Sequence, residues 1–229
     1  SFAGLITTPG TLVVSLTKGL CEKTHRRMSE IARSTLGLDT IAVLSGPSHA
    51  EELARGIPTA VVAAADDEAI AQRAQQLFNG PLFRVYTSTD TLGVEIGGAV
   101  KNVIAIAVGA SDGLGFGDNT RAALITRGPA EITRFGIALG ARPETFSGLS
   151  GVGDLIVTCT SRHSRNHAVG ERLGRGENIE AILGSMKMVA AGVWNARAIH
   201  SLAKTHGVEM PITDAVHPVC YASFTAGTA

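Results

Sequence analysis

The run Phe83-Arg84-Val85-Tyr86-Thr87-Ser88-Thr89-Asp90-Thr91-Leu92-Gly93-Val94-Glu95-Ile96-Gly97-Gly98-Ala99-Val100-Lys101-Asn102-Val103-Ile104-Ala105-Ile106-Ala107-Val108-Gly109-Ala110 decides the fold. Its opening, Phe83 to Tyr86, is rich in aromatic and β-branched residues and reads as a strand. From Leu92 to Ala110 the residues are small or apolar, interrupted only by Glu95 and Lys101. That is too long for a strand, so it reads as a buried helix. Before this point short apolar runs alternate with helical patterns; after it the strands stop. The expected architecture is an α/β part over residues 1–88 followed by an all-α part over residues 89–229.

Working back from Phe83, strands are expected at Leu12–Leu16, Ile41–Leu44 and Ala60–Ala63. Helices are expected at Thr24–Leu36 and Asp67–Phe78. Ser48-His49-Ala50-Glu51 fits a capping box opening a short helix that ends near Gly56. Continuous apolar strands separated by helices predict a parallel sheet covered on both faces. Working forward, helices are expected at Thr120–Leu139, Asp154–Cys159, Arg165–Leu173 and Val189–His206. Gly-rich joints at 112–117, 148–153 and 174–176 separate them, and Pro143 and Pro211 mark helix starts.

Composition narrows the function classes. Lys plus Arg and Asp plus Glu are 20 each among 229 residues, which removes the broad electrostatic case for nucleic acid or an anionic membrane. No uncharged apolar run of about 20 residues is present, so no membrane insertion is expected. Cys21, Cys159 and Cys220 are odd in number without CxxC spacing, which points away from a disulfide framework and towards a reducing cytoplasm. The start, Ser1-Phe2-Ala3-Gly4, lacks an initiator Met and a signal-peptide pattern. With the end, Ser223 to Gly227, it reads as a chain entered and left partway.

Several residues stand out for chemistry. His163 and His167 are four apart, a spacing that can hold zinc, but an HExxH glutamate and a third ligand are missing, so no metal is expected. Gly46-Pro47-Ser48 lies just past a strand, where ligands of open α/β sheets sit, and equally fits an ordinary turn. Lys101 interrupts an apolar helix. It either snorkels to the surface or is buried, paired and depressed in pKa towards proton transfer. Ser164-Arg165-Asn166 precedes a helix and is either an N-cap with a solvated Arg or a phosphate cradle. Asp154 fits an N-cap or a partner for a buried Lys.

Together these segments resemble the bacterial-type NAD(P)-dependent glycerol-3-phosphate dehydrogenases. The resemblance is carried by Thr17-Lys18-Gly19, Ser45-Gly46-Pro47-Ser48, the Gly97–Ala105 run, Ser111-Asp112-Gly113 and Ala123 to Gly128. Gly151-Val152-Gly153-Asp154-Leu155, Thr158-Cys159-Thr160, Ser164-Arg165-Asn166 and Gly207 to Thr213 complete it. It implies a Rossmann-like sheet joined to a helical domain of the 6-phosphogluconate-dehydrogenase type. It also implies hydride exchange between NAD(P)H and dihydroxyacetone phosphate, giving sn-glycerol 3-phosphate for phospholipid synthesis, and a homodimer.

By the same resemblance Lys101 exchanges the proton at the substrate oxygen. Lys18, Gly46, Ser48, Asp154, Ser164, Arg165 and Asn166 join it in the phosphate-substrate pocket. Lys18, Ala50, Arg165, Val189 and Ala191 approach the cofactor. Two departures accompany it. The family's opening glycine-rich turn has no counterpart, so the chain reads as a fragment of the cofactor-binding domain plus the catalytic domain. The family's Val-x-Glu-Gly is here Val189-Ala190-Ala191-Gly192, with a carboxylate lost. The alternatives are a catalytically incomplete helical assembly fragment and a related β-hydroxyacid dehydrogenase.

Overall fold

The computed structural model describes residues 10–186 and 188–221; the two ends that read as entered and left partway fall outside them. The α/β part runs β1 (Val14–Ser15), α1 (Met28–Leu36), β2 (Ala42–Ser45), α2 (Ala50–Leu53), β3 (Thr59–Ala64), α3 (Glu68–Phe78) and β4 (Phe83–Ser88). The strands pair in the order β1-β2-β3-β4. β1–β2 and β3–β4 are parallel, as expected, with Val14 opposite Ala42 and Thr59 opposite Phe83. β2–β3 is antiparallel, with Leu44 opposite Ala63, so the sheet is mixed rather than wholly parallel.

The cause is the connection between those strands. A parallel return needs a helix long enough to carry the chain back along the strand. The four residues of α2 climb only about 6 Å, whereas four-residue β2 spans about 13 Å. The chain therefore re-enters the sheet in the opposite sense. The capping box also fails: the Ser48 hydroxyl turns back to the Gly46 carbonyl at 3.1 Å, leaving His49 at the start of α2 without a side-chain cap. α1 begins four residues later than the pattern suggested, because Cys21 to Arg26 closes a turn with His25 at φ 56°.

The helical part is α4 (Thr91–Gly113), α5 (Gly117–Ala138), a 3₁₀ turn (Pro143–Ser147), a π turn (Leu149–Gly153), α6 (Asp154–Thr160), α7 (Arg165–Gly174), α8 (Ile179–Ser185), α9 (Ala191–Thr205) and α10 (Pro211–Tyr221). α4 is its axis. It is long and apolar enough to cross a membrane, yet 89% of its most apolar window is buried inside the protein. Ile96, Val100, Val103, Ile104 and Ile106 pack there with Phe135, Phe146, Leu155, Val169 and Ile199. The buried Glu95 carboxylate is held by Arg27 at 3.0 Å and by the Ser29 amide and hydroxyl at 3.0 and 2.6 Å. This ties the start of α1 to α4.

α4 and α7 touch backbone to backbone. A Cβ on Gly109 or Gly113 would fall inside the His167 and Glu171 carbonyls, and one on Gly170 or Gly174 would fall inside those of Ile106 and Ala110. Only glycine permits this approach. The consequence lies one to two turns away, where the first turn of α7 is pressed against the Lys101–Asn102 level of α4.

Candidate functional site

A cavity of about 330 Å³ opens between the ends of β1 and β2 and the helices α4, α6, α7 and α9. Its floor is Asp154, the first residue of α6 and fully buried. One carboxylate oxygen accepts from Lys101 Nζ at 2.8 Å and the other from Lys18 Nζ at 2.7 Å. Lys101 also donates to Thr158 Oγ1 at 2.6 Å, whose own hydroxyl donates to the Asp154 carbonyl, again at 2.6 Å. Lys18 donates in addition to the Gly46 carbonyl at 3.0 Å.

Of the two readings of Lys101, burial is the one observed: it is 5% exposed. Burial pulls its ammonium down from about 10.5 to about 8; Asp154 opposes the fall and the Lys18 charge adds to it. Lys101 thus changes protonation near pH 8, within reach of a proton-transfer role. The neighbouring Cys159 thiol is pushed up to about 12 by burial and stays neutral.

The opposite wall is the start of α7. The buried Ser164 hydroxyl accepts from the His167 amide at 3.2 Å, so it is a genuine N-cap as well as a cavity residue. Asn166 donates to Asn102 Oδ1 at 2.8 Å and accepts from the Gly192 amide at 2.9 Å. Arg165 is exposed at the cavity edge. A forked cation beside a helix start suits a phosphate.

Lys18, Ser48, Lys101, Asp154, Ser164, Arg165, Asn166, Val189 and Ala191 all line this one cavity. Gly46 stands behind the lining and contributes its carbonyl to Lys18. Ala50 is exposed at the start of α2, outside the lining. His167 does not share a ligand with His163: it bonds Asp112 at 2.8 Å, and the His163 ring lies 5.9 Å from that of His49.

Sequence reasoning assigned no role to Thr158, Asn102 or His49. Thr158 is four residues after Asp154, the helical spacing that places both beneath Lys101. Asn102 is the polar neighbour of Lys101 in an apolar run. His49 lines the cavity, with a buried Nε2 that has no hydrogen-bond partner among the described residues; nothing in its spacing signals this.

Family models for the NAD-dependent glycerol-3-phosphate dehydrogenase N-terminus and C-terminus match residues 3–71 and 90–229. The chain belongs to the NAD-dependent glycerol-3-phosphate dehydrogenase family. The glycerol-3-phosphate dehydrogenase (NAD(P)+) of Moorella thermoacetica is 55% identical over 212 residues, covering 93% of this chain and 63% of the relative. Its namesake in Desulfitobacterium hafniense is 53% identical, covering 93% and 60%. The crystal structure of glycerol-3-phosphate dehydrogenase from Coxiella burnetii superposes with a TM-score of 0.90 at 40% identity, over 95% of this chain and 67% of that one. The chain therefore spans less than two thirds of the length of the first curated relatives it matches. The α/β-then-α order anticipated from sequence agrees with this family.

Proposed function

We propose that this chain carries the proton-transfer and phosphate-binding parts of an NAD(P)-dependent glycerol-3-phosphate dehydrogenase, which interconverts dihydroxyacetone phosphate and sn-glycerol 3-phosphate. The observation that carries the reading is one buried carboxylate, Asp154, shared by two ammonium groups at the floor of a cavity whose far wall is the start of α7. Residues 1–88 belong to the cofactor domain and residues 89–229 form the catalytic domain.

In the reductive direction negative charge develops on the C2 oxygen. Lys101 in its protonated form neutralises that charge and delivers the proton; in the reverse direction the neutral amine takes it back. Asp154 and Thr158 fix the direction of Nζ. Lys18 holds the other carboxylate oxygen, so Asp154 cannot swing away. Arg165, Ser164 and Asn166 hold the phosphate, and that binding energy positions the carbonyl.

NAD(P)H, when bound, supplies the hydride. The residues present fit its nicotinamide end: Leu16 and Val189, 62% and 64% exposed, give the cavity mouth an apolar rim that suits a flat ring. Lys18, Arg165 and Ala191 line the same cavity, and Ala50, outside the lining, is the remaining residue of this cofactor reading. A homodimer and a cytoplasmic setting, in keeping with three free cysteines, complete the reading; sedimentation of the full-length protein tests the first.

The deciding experiment follows reduced-nicotinamide absorbance after dihydroxyacetone phosphate is added to the full-length protein. Turnover is expected, with the reductive rate falling as pH rises through about 8, because Lys101 loses its proton there. No turnover with dihydroxyacetone phosphate, or turnover with a carboxylate hydroxyacid instead, refutes the reading.

A further inference from the structure

Lys18 reaches Asp154 from a segment that follows a two-residue strand, across 136 positions of sequence. So short a strand cannot fix the direction of a flexible lysine three residues beyond it. The restraint comes from α9. Asn195 is 2% exposed; its Oδ1 accepts from the Leu20 amide at 3.1 Å and its Nδ2 donates to the Ala99 carbonyl at 3.2 Å.

Leu20 is two residues after Lys18, and Ala99 is two residues before Lys101. One planar amide thus bridges the two backbones that carry the ammonium groups. Gly19 packs directly on it: its φ is +133°, and a Cβ there would stand 2.9 Å from Asn195 Oδ1. We propose that Asn195 is a positioning residue that sets the distance between Lys18 and Lys101 by clamping the backbones of both.

A planar amide is suited to this task because it holds a donor nitrogen and an acceptor oxygen at a fixed separation. Leucine at 195 has a similar volume but neither group; it would leave the Leu20 N–H unpaired and strip the Ala99 carbonyl of the bond it accepts beyond its own helical one. The segment after β1 would then slacken and Lys18 would drift from Asp154. The charges facing Lys101 are Asp154 from α6 and Lys18 from that segment; Cys159, also on α6, is neutral. Departure of the Lys18 ammonium and entry of water both favour the protonated form of Lys101.

The inference rests on the proposed function only for its effect on turnover, so its test is read without turnover. Lysine side-chain NMR of this chain, with the Lys101 signal assigned by its loss in Lys101→Met, follows Lys101 through a pH titration. Asn195→Leu is expected to raise the Lys101 midpoint from near 8 by about one unit, towards the ordinary lysine value. Lys18→Met, which removes the ammonium and leaves the amide clamp intact, is expected to raise it similarly.

A folded Asn195→Leu chain with an unchanged midpoint, beside a shifted Lys18→Met chain, reduces Asn195 to packing and overturns the proposal. Should Asn195→Leu fail to fold, Gly19→Ala takes its place, since the added Cβ displaces the same amide, and an unchanged midpoint there overturns it equally. If Lys18→Met leaves the midpoint unmoved, the lysines do not sense each other and the proposal falls. A shifted midpoint together with full-length wild-type protein that does not reduce dihydroxyacetone phosphate would sink the functional reading alone.

Discussion

In the helical part, the groups facing the cavity are side chains of packed helices: Lys101 on α4, Asp154 and Thr158 on α6, Asn166 on α7. In the sheet part they are supplied by turns: Lys18 after β1 and Ser48 after β2, with the Gly46 carbonyl behind them holding Lys18. The core behind them differs in the same way. Around α4 it includes Phe135, Phe146, Ile104, Leu155 and Ile199, whereas the main buried cluster of the sheet part is mostly alanine and valine, with Leu44 the largest member. A deep core fixes the helical groups with many contacts that are individually small and collectively large. The turn groups depend on a few directional hydrogen bonds. Damage in the helices is expected to abolish chemistry or unfold the protein, and damage at the rim to change affinity.

The largest effect is expected at Lys101. Lys101→Met in the full-length protein should lower kcat by ~10²–10⁴-fold while cofactor binding, read by fluorescence titration, stays nearly intact. Retention of more than about a tenth of wild-type turnover breaks the assignment of proton transfer to this residue.

Next comes the glycine contact between α4 and α7. Gly170→Val puts a Cβ where the Ile106 carbonyl already sits and adds two methyl groups to it. The helices must part, at a cost of ~3 kcal/mol, read as a lower Tm by circular dichroism. A melt equal to wild type would show that this approach is not what seats α7.

Arg165 tests the rim. Arg165→Ala should raise KM for dihydroxyacetone phosphate by about thirtyfold, the equivalent of ~2 kcal/mol for a lost charge-assisted contact. Arg165→Lys keeps the charge without the fork and should fall between. Inorganic phosphate inhibiting wild type and Arg165→Ala equally would remove Arg165 from the phosphate site.

Ala191 gives the smallest expected change and the only gain. It begins α9 at the cavity mouth, where the family resemblance calls for Glu. Ala191→Glu restores an acceptor and should tighten NAD(P)H binding several-fold, up to ~tenfold. Trp194, 45% exposed one turn further along α9, is the neighbour able to oppose it. Equal or weaker binding would mean that the alanine is accommodated rather than a lost contact.

The two parts were also unequally legible in the sequence. α4 was readable because a long apolar run has few other solutions; it extends from Thr91 to Gly113, slightly beyond the expected Leu92–Ala110. The direction of β3 was not, since strand polarity depends on the length of α2, and the Ser48 signal behind that helix was spent on a local turn. α8, seven residues opened by an Asn178 cap, went unread. The glycines at 148–153 looked like a loose joint, yet a Cβ at Gly97 would meet the Ser150 carbonyl at 2.6 Å, so the π turn is seated under α4.

Within the site, the burial of Lys101 was foreseeable as one of two readings. Its partnership with Asp154 was likewise one of two readings of that carboxylate, beside an N-cap, and pairing across 53 positions leaves no trace in spacing to choose between them. The role of Thr158 was hidden for a different reason: a hydroxyl in a helix usually bonds its own turn, and this one does so while also accepting from Lys101.

The 136 positions between Lys18 and Asp154 also set a timetable. At ~5–20 residues added per second, a ribosome exposes Lys18 about 7 to 27 seconds before its carboxylate partner exists. Over that interval the nascent sheet segment can be held only by local contacts, while its lysine remains an uncompensated cation available to any passing anion. The cavity is complete only after Asp154 and then Ala191 have been made, so a pause or truncation before Asp154 leaves Lys18 with no floor to reach.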